Sequence, residues 1–301
     1  MIAPWIWVTL VAATAQTARF MLQKHLRGTG LSTAGATFAR FLYSAPLVAL
    51  IAWFYAGGTG QGMPVVAPSF WAFAMFGGVA QIAATMCVVA IFAHRNFAVG
   101  ITFKKTEVIQ SALLGFLVLG EAVSGGAMIA ILIGLVGVVL LSDPPAGQGA
   151  WHRRIFNPAA GLGLASGALF AVSAVGYRGA TLAIAEGDAF YRALCTLAFV
   201  TAFQTVTMTG YLVWRQRGEL GRVLRGWRVA GLVGVTSMIG SIGWFTAFAL
   251  QTVALVKAVG QVELVLSLLA SMLVFGERIS RREWQGLALL AVSLVLLVLI
   301  A

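Results

Sequence analysis

The chain has 301 residues, of which 60% are hydrophobic and only 10% are charged. A soluble domain of this size usually carries about 25% charged residues. The composition therefore excludes an ordinary soluble globule and predicts a polytopic membrane protein with the lipid bilayer as its surroundings. The net charge is +11, and the two cysteines, Cys87 and Cys195, both lie within apolar runs. We expect these cysteines to pack against neighbours rather than form a disulfide or a metal site.

Long apolar runs recur along the chain and predict ten membrane-spanning helices, because about 20 apolar residues cross the hydrocarbon core. The predicted spans are 4–26, 34–55, 70–92, 97–118, 124–142, 158–182, 188–213, 228–250, 254–275 and 283–301. The first span begins MIAPWIWVTL, without a basic segment or a small-residue cleavage pattern. It is expected to be retained in the membrane rather than removed as a signal peptide.

Basic residues lie in alternate loops, which predicts the orientation of the chain. The loops after spans 1, 3, 5, 7 and 9 hold Lys24, Arg27, Arg95, Arg153, Arg154, Arg215, Arg217, Arg222, Arg225, Arg228, Arg278, Arg281 and Arg282, whereas the termini and the other loops hold none. Since loops rich in Lys and Arg stay in the cytoplasm, both termini are predicted to face the periplasmic side of a bacterial inner membrane. A nucleic-acid patch is the weaker interpretation of these charges, and we expect no nucleic acid as a partner.

A long segment of the chain occurs twice. Residues 92–124 align without a gap on residues 248–280 at an offset of 156, and the alignment pairs Glu107 with Glu263. Such a match is informative because the whole chain has only nine acidic residues. The repeat predicts one five-span unit in residues 1–142, a linker in 143–157 and a second unit in 158–301. Because five is an odd number, the second unit is expected to enter the membrane upside down.

The predicted fold is thus an all-α integral membrane protein with ten transmembrane helices in two inverted five-helix repeats. Two short motifs also recur: Phe38-Ala39-Arg40 resembles Phe190-Tyr191-Arg192 at an offset of 152, and Gly120-Glu121 matches Gly276-Glu277 at the offset of 156. These motifs and the ten-span arrangement resemble the EamA-type group of the drug/metabolite transporter superfamily, over essentially the whole chain. The resemblance implies an exporter of small metabolites, notably amino acids, including aromatic ones.

Apart from those within two residues of a span end, nine charged residues fall within the predicted spans, where a charge at the bilayer centre costs about 2.5–3.5 kcal/mol. They are Arg19, Arg40, Lys104, Lys105, Glu107, Arg178, Arg192, Lys257 and Glu263. Lys104, Glu107 and Ser111 share one helix face through their i, i+3, i+7 spacing, and Glu263 lies on the equivalent face of span 9. These faces are expected to line a central cavity. The alternative is a structural Lys104–Glu107 pair, with Glu263 held by Lys257 or Gln261.

Other residues complete the candidate binding site. Arg19, with Gln16 one turn before it, is the candidate anchor for a carboxylate; its alternative is snorkelling towards the cytoplasm. Trp244 is the leading aromatic candidate, because Gly240 and Gly243 clear space beside it. The predicted substrate-binding set is Gln16, Arg19, Lys104, Glu107, Ser111, Tyr177, Trp244, Lys257 and Glu263. Capping or packing roles are expected for Arg40, Gly120, Glu121, Arg192, Gly276 and Glu277.

The leading functional class is a secondary transporter that acts as a monomer and exports amino acids or related metabolites. Other organic anions or drugs are the alternative substrates. No Gly-x-x-x-x-Gly-Lys-Ser/Thr motif occurs, so direct use of ATP is not expected. No cofactor is expected. A lipid-modifying intramembrane enzyme is a remote alternative, because the three histidines lie in or near the basic loops without acid–base spacing. A channel is disfavoured, because two glutamates beside lysines do not form a selectivity ring.

Overall fold

The computed structural model describes residues 3–92, 103–141, 158–266 and 281–300, and most of them are helical. The helices are α1 (Pro4–Gly28), α2 (Thr33–Thr59), α3 (Ser69–Ile91), α4 (Glu107–Leu119), α5 (Gly125–Leu141), α6 (Pro158–Leu182), α7 (Ala189–Arg215), α8 (Glu219–Arg225), α9 (Trp227–Leu250), α10 (Val253–Val259) and α11 (Arg281–Ile300). An isolated antiparallel bridge between Val66 and Ile184 joins the loop after α2 to the loop after α6.

Local sequence signals set the helix ends. Pro4 occupies the first turn of α1, where its missing N–H leaves no hydrogen bond unmade. The side chain of Ser32 accepts a hydrogen bond from the backbone N–H of Gly35 and so caps α2. Helix α4 ends at Gly120, whose φ of 69° lies in the left-handed region that glycine adopts without strain.

The protein is an α-helical membrane protein. Five helices, α2, α3, α6, α7 and α9, are long and apolar enough to cross a membrane, and shorter apolar helices accompany them in α4, α5 and α11. Large apolar side chains also cover the outside of the bundle: Trp53, Phe54, Phe76, Val206, Trp214 and Leu299 are each more than 70% exposed. Water would penalise so large an apolar surface, whereas lipid covers it at no such cost.

Small residues allow the helices to pack closely. Helix α1 packs along α9, α3 along α6, α5 along α11 and α2 along α7. A Cβ atom added at Gly243 of α9 would lie only 2.8 Å from the Cβ of Ala12 in α1. One added at Gly176 of α6 would lie 2.8 Å from the carbonyl oxygen of Phe73 in α3. Without a strong hydrophobic drive between helices in lipid, such close backbone contact provides much of the packing energy.

The helix bounds agree with the predicted spans except at three places. Span 4 was predicted as one helix, but the described part has a turn at Lys105 and Thr106 before α4 starts at Glu107. The prediction of a continuous span 9 is also wrong: α10 ends at Val259, and the helix resumes in residues 262–266 after a turn. Helix α8 lies within the most basic loop, where no helix was predicted.

Candidate functional site

The two helix interruptions lie against each other. Helices α4 and α10 pack together, and the side-chain amide of Gln261 donates a hydrogen bond of 3.4 Å to the carbonyl oxygen of Lys105. Gln261 and Lys105 are also separated by the 156-residue offset of the sequence repeat. The turns therefore bring corresponding points of the two sequence halves together, and each turn carries charged residues beside it.

Five charged side chains meet at this point: Lys104, Lys105, Glu107, Lys257 and Glu263, here called the ion cluster. The carboxylate of Glu107 lies 3.7 Å from the ammonium of Lys104 and 3.6 Å from that of Lys257. The carboxylate of Glu263 lies 3.6 Å from Lys104 and forms a closer ion pair with Lys105. All five residues are at most 8% exposed. Both glutamates thus point into the protein and each is shared between two lysines.

This arrangement differs from the structural alternative derived from the sequence. Lys104 does pair with Glu107, but Lys257 contacts Glu107 rather than Glu263. Glu263 instead accepts a 2.7 Å hydrogen bond from the side-chain amide of Gln16 in α1. The second glutamate is consequently linked to the first helix of the chain as well as to the segment just before α4.

Arg19 lies inside the bundle and not at its surface. Its side chain is buried and donates hydrogen bonds to the side-chain oxygens of Gln23, at 3.1 Å, and Gln16, at 3.3 Å. Its guanidinium also lies 4.3 Å from the centre of the Phe20 ring. Gln23 in turn donates a 3.1 Å hydrogen bond to the carbonyl oxygen of Ala36 in α2. Arg19 is therefore held by neutral groups and does not snorkel to water.

Aromatic rings surround the lysines. The ammonium of Lys104 lies 5.4 Å from the ring centre of Phe20 and 5.1 Å from that of Phe170. The ammonium of Lys257 lies 5.7 Å from the same Phe170 ring and 4.9 Å from the ring of Trp244. Such contacts stabilise a cation that has lost its water. The indole N–H of Trp244, although buried, has no hydrogen-bond partner within the described ranges.

Arg40 forms a second buried cation site next to the cluster. Its guanidinium donates hydrogen bonds to the hydroxyls of Ser237 at 2.9 Å, Thr85 at 3.2 Å and Ser241 at 3.4 Å. These hydroxyls belong to α9 and α3, so Arg40 joins three helices. The sequence analysis gave Arg40 only a packing role and did not select the serines. The sequence could have indicated them, because Ser237, Ser241 and Trp244 follow i, i+4, i+7 spacing and therefore lie on one face of α9.

Tyr177 and Ser111 have other surroundings. The hydroxyl of Tyr177 donates a 2.8 Å hydrogen bond to Gln81 and accepts one of 3.1 Å from Gln204, while its ring stacks on Phe245. Tyr177 therefore belongs to a separate polar group formed by α3, α6 and α7. Ser111 is buried one turn after Glu107, and no described residue forms a hydrogen bond with its hydroxyl.

The motif residues lie away from the ion cluster. Glu121, next to the helix-ending Gly120, pairs with Arg178 rather than with the first turn of α5. Arg178 also donates hydrogen bonds to the carbonyl oxygens of Phe248 and Gln251 at the end of α9. Arg192 is half-buried near the start of α7. Gly276 and Glu277 lie outside the described residues.

Two apolar grooves of about 240 and 330 Å³ also lie among the described residues, the first between α3, α4 and α6 and the second between α2 and α7. Their walls include Phe76 and Trp53, both about three-quarters exposed, so these grooves open to the lipid-facing surface. They do not contain the ion cluster. Within the described ranges, no three His, Cys, Asp or Glu side chains come together to hold a metal ion.

Comparison with known proteins shows the fold alone. No protein-family model and no curated protein matches the chain. A solved structure described only as "Crystal structure of protein" is similar, with a TM-score of 0.66 and 17% sequence identity, over 98% of this chain and 99% of the other. The similarity extends over both chains almost completely, so the whole architecture, and not one segment, has been observed in another protein.

Proposed function

We propose that the protein is a secondary transporter that exports small metabolites by alternating access, with amino acids as the first substrate class and other organic anions as the second. The ion cluster is the observation that carries the proposal. Buried charges at interrupted helices are typical of the central binding sites of transporters, where the broken ends expose backbone groups to a solute. Here one interruption comes from each half of the sequence.

The packing of the helices supports two related five-helix units, residues 1–142 and 158–301, within a ten-span chain. In this count α9, α10 with residues 262–266, and α11 are spans 8, 9 and 10. If the two units are related, each span of the first unit corresponds to the span five positions later, and each contact should have a counterpart between the corresponding spans. The α1–α9 contact then corresponds to α6–α3, and the α4–α6 contact to α10–α1; all four contacts occur. The α2–α7, α4–α10 and α5–α11 contacts each join two corresponding spans and are their own counterparts. Two copies of one unit, inverted in the membrane, produce such a pattern.

The proposed location is a bacterial inner membrane with both termini on the periplasmic side. The loop that contains α8 carries five arginines between Arg215 and Arg228, which favours a cytoplasmic position for that loop. The loops joined by the Val66–Ile184 bridge would then lie on the periplasmic side. In this orientation, the Arg178–Glu121 pair also lies near the periplasmic end.

Counterflow in proteoliposomes tests the proposal. Purified protein is reconstituted, the vesicles are preloaded with a candidate amino acid or organic anion, and uptake of the same labelled compound is followed. A carrier gives saturable uptake that is faster into preloaded than into empty vesicles. Flux that rises linearly with concentration would indicate a channel, and chemical conversion of a lipid without solute flux would indicate an enzyme. Arg215→Gln, at the exposed last residue of α7, is the control that should retain activity.

A further inference from the structure

The interior of the bundle holds more positive than negative charge. Arg19, Arg40, Lys104, Lys105 and Lys257 are buried, and the two glutamates of the ion cluster are the carboxylates that accompany them. Buried charges normally occur in pairs, because taking an unpaired ion out of water is costly. In the ion cluster and at the two arginines, five cations face two carboxylates, which leaves a surplus of three positive charges there. The third buried carboxylate of the described residues, Glu219, pairs with Arg222 in α8. An anionic ligand would reduce that surplus.

The two arginines are the cations that the glutamates do not neutralise. The described partners of Arg19 are the amide oxygens of Gln16 and Gln23, and those of Arg40 are three hydroxyls. None of these groups carries a negative charge. A guanidinium offers five N–H donors in a planar fork that matches a carboxylate or a phosphate. Both arginines are therefore held in place by neutral groups while their charge is left for another partner.

Helices α2 and α9 connect Arg40 to the other buried cations. Gln23, which holds Arg19, also binds the carbonyl oxygen of Ala36, and Arg40 lies one turn further along α2. On the other side, α9 presents Ser241 to Arg40 and, one turn later, Trp244 to Lys257. Arg40 is thus linked through α2 to the surroundings of Arg19 and through α9 to the aromatic wall of the ion cluster.

We propose that the central site takes a small organic dianion, a dicarboxylate or a phosphate ester, with Arg40 and Arg19 as its anchoring residues. The inference rests on the proposed transport function and names its substrate class. A zwitterionic amino acid brings no net charge and would leave the surplus in place. Two negative charges reduce it to one. Arg40, given only a packing role by the sequence, becomes a specificity-determining residue.

Thermal unfolding of the purified protein in detergent, at pH about 7.5 and constant ionic strength, provides the test. The probes are succinate, glycerol 3-phosphate, acetate and phenylalanine. We expect one or both dianions to raise the unfolding temperature more than acetate or phenylalanine does, and the stronger of the two identifies the chemical source of the charge. Arg40→Gln and Arg19→Gln should weaken dianion binding about tenfold or more, because each removes a charge-assisted pair.

Arg192→Gln is the matched control, because Arg192 occupies the same place as Arg40 in the two similar motifs but lies outside the ion cluster. The Arg192→Gln variant should bind the dianion with the affinity of the wild type. If Arg40→Gln does not fold, Arg40→Lys keeps the charge, loses the fork and should still weaken binding. The inference is overturned if neither dianion stabilises the wild type, if phenylalanine stabilises it more, or if a folded Arg40 variant keeps full affinity. Dianion binding without counterflow would instead overturn the transport proposal, and saturable amino-acid counterflow without dianion binding would overturn only this inference.

Discussion

At the scale of single residues, Glu263 contacts side chains from two other parts of the bundle. It pairs with Lys104 and Lys105 and accepts a hydrogen bond from Gln16. Removing one member of a buried ion pair typically costs about 3–5 kcal/mol, because the other charge remains buried without compensation. We therefore expect Glu263→Gln to lower the thermal stability of the detergent-solubilised protein strongly, and to abolish counterflow in any protein that remains folded.

A second substitution separates charge from packing. Adding Lys105→Met to Glu263→Gln removes the uncompensated ammonium, so the double variant should recover part of the lost stability but none of the transport. Lys105→Met in the wild-type background completes the cycle. A Glu263→Gln variant as stable as the wild type would mean that the pair with Lys105 contributes nothing to the folded state.

Asp188 gives a prediction about pH. Its carboxylate accepts hydrogen bonds from the backbone N–H of Tyr191 and from the side chains of Tyr55 and Gln61. The hydrogen bond from Tyr191 is the main reason why the pKa of Asp188 is lowered. A carboxyl group with a lowered folded-state pKa stabilises the fold above its unfolded pKa of about 3.9, and this stabilisation is lost as the pH falls through the folded value. Asp188→Asn should therefore be less stable than the wild type near pH 7, and the difference should shrink in acid.

Thermal unfolding of both proteins between about pH 7 and pH 3 measures this difference. Asp188→Ala serves as the comparison, because it also removes the capping oxygen and should cost about 0.5–2 kcal/mol at every pH. If the difference in unfolding temperature between the wild type and Asp188→Asn stays constant as the pH falls, the charge of Asp188 does not contribute to stability.

At the scale of helices, the contact between α3 and α6 depends on glycine. A Cβ at Gly176 would lie 2.8 Å from the carbonyl oxygen of Phe73 and 3.0 Å from the Cα of Gly77. The backbones must separate to admit it, and overpacking of this kind costs about 1–3 kcal/mol. We expect Gly176→Ala to lower the unfolding temperature in detergent. Gly161→Ala in the same helix is the matched control, because no atom lies within 4 Å of its added Cβ, and equal stability of the two variants would contradict the prediction.

The sequence predicted the helices well and the interruptions badly, for a physical reason. Apolar runs report the length that a segment needs to cross lipid, and the ends of α3, α6 and α9 fall within one residue of the predicted bounds. Hydropathy does not distinguish a continuous helix from two helices joined by a buried turn. The stretch around Gly260 is apolar enough to be predicted as one span although it contains Lys257, Gln261 and Glu263, whereas a Cβ at Gly260 would collide with the Trp244 ring. Only the packing of α9 against α10 reveals that constraint.

At the scale of the whole molecule, the sequence identified most of the charged residues of the site but not their partners. The scarcity of acids in an apolar chain made Glu107 and Glu263 conspicuous, and both are buried in the ion cluster. Which lysine meets which glutamate depends on how the two interruptions face each other, and no pattern within one helix contains that information. The sequence did not indicate the hydroxyl partners of Arg40 for the same reason, because they lie on two other helices.

The loops at one end of the bundle hold the two halves of the sequence together. Val66 and Ile184 face each other in an antiparallel bridge, flanked by the hydrogen bonds from Ala67 N–H to the Ala183 oxygen, 2.9 Å, and from Ala185 N–H to the Val65 oxygen, 3.2 Å. The hydroxyl of Tyr191 also donates a 2.5 Å hydrogen bond to the carbonyl oxygen of Gly62. In the proposed alternating-access transporter each end opens in turn, so these contacts would break once in every cycle.

A reversible cross-link tests that requirement. In an antiparallel bridge, two opposed residues that do not bond to each other but have hydrogen bonds on either side typically have Cα atoms about 4.5 Å apart. This distance lies within the range that a disulfide bridges. We expect Val66→Cys combined with Ile184→Cys, in a background without the two native cysteines, to lose counterflow on oxidation and to regain it with dithiothreitol, because the disulfide keeps this end closed. Either single substitution should stay active under both conditions. Counterflow at the reduced rate in fully oxidised protein would show that this end does not open during transport, and the alternating-access proposal would then fail.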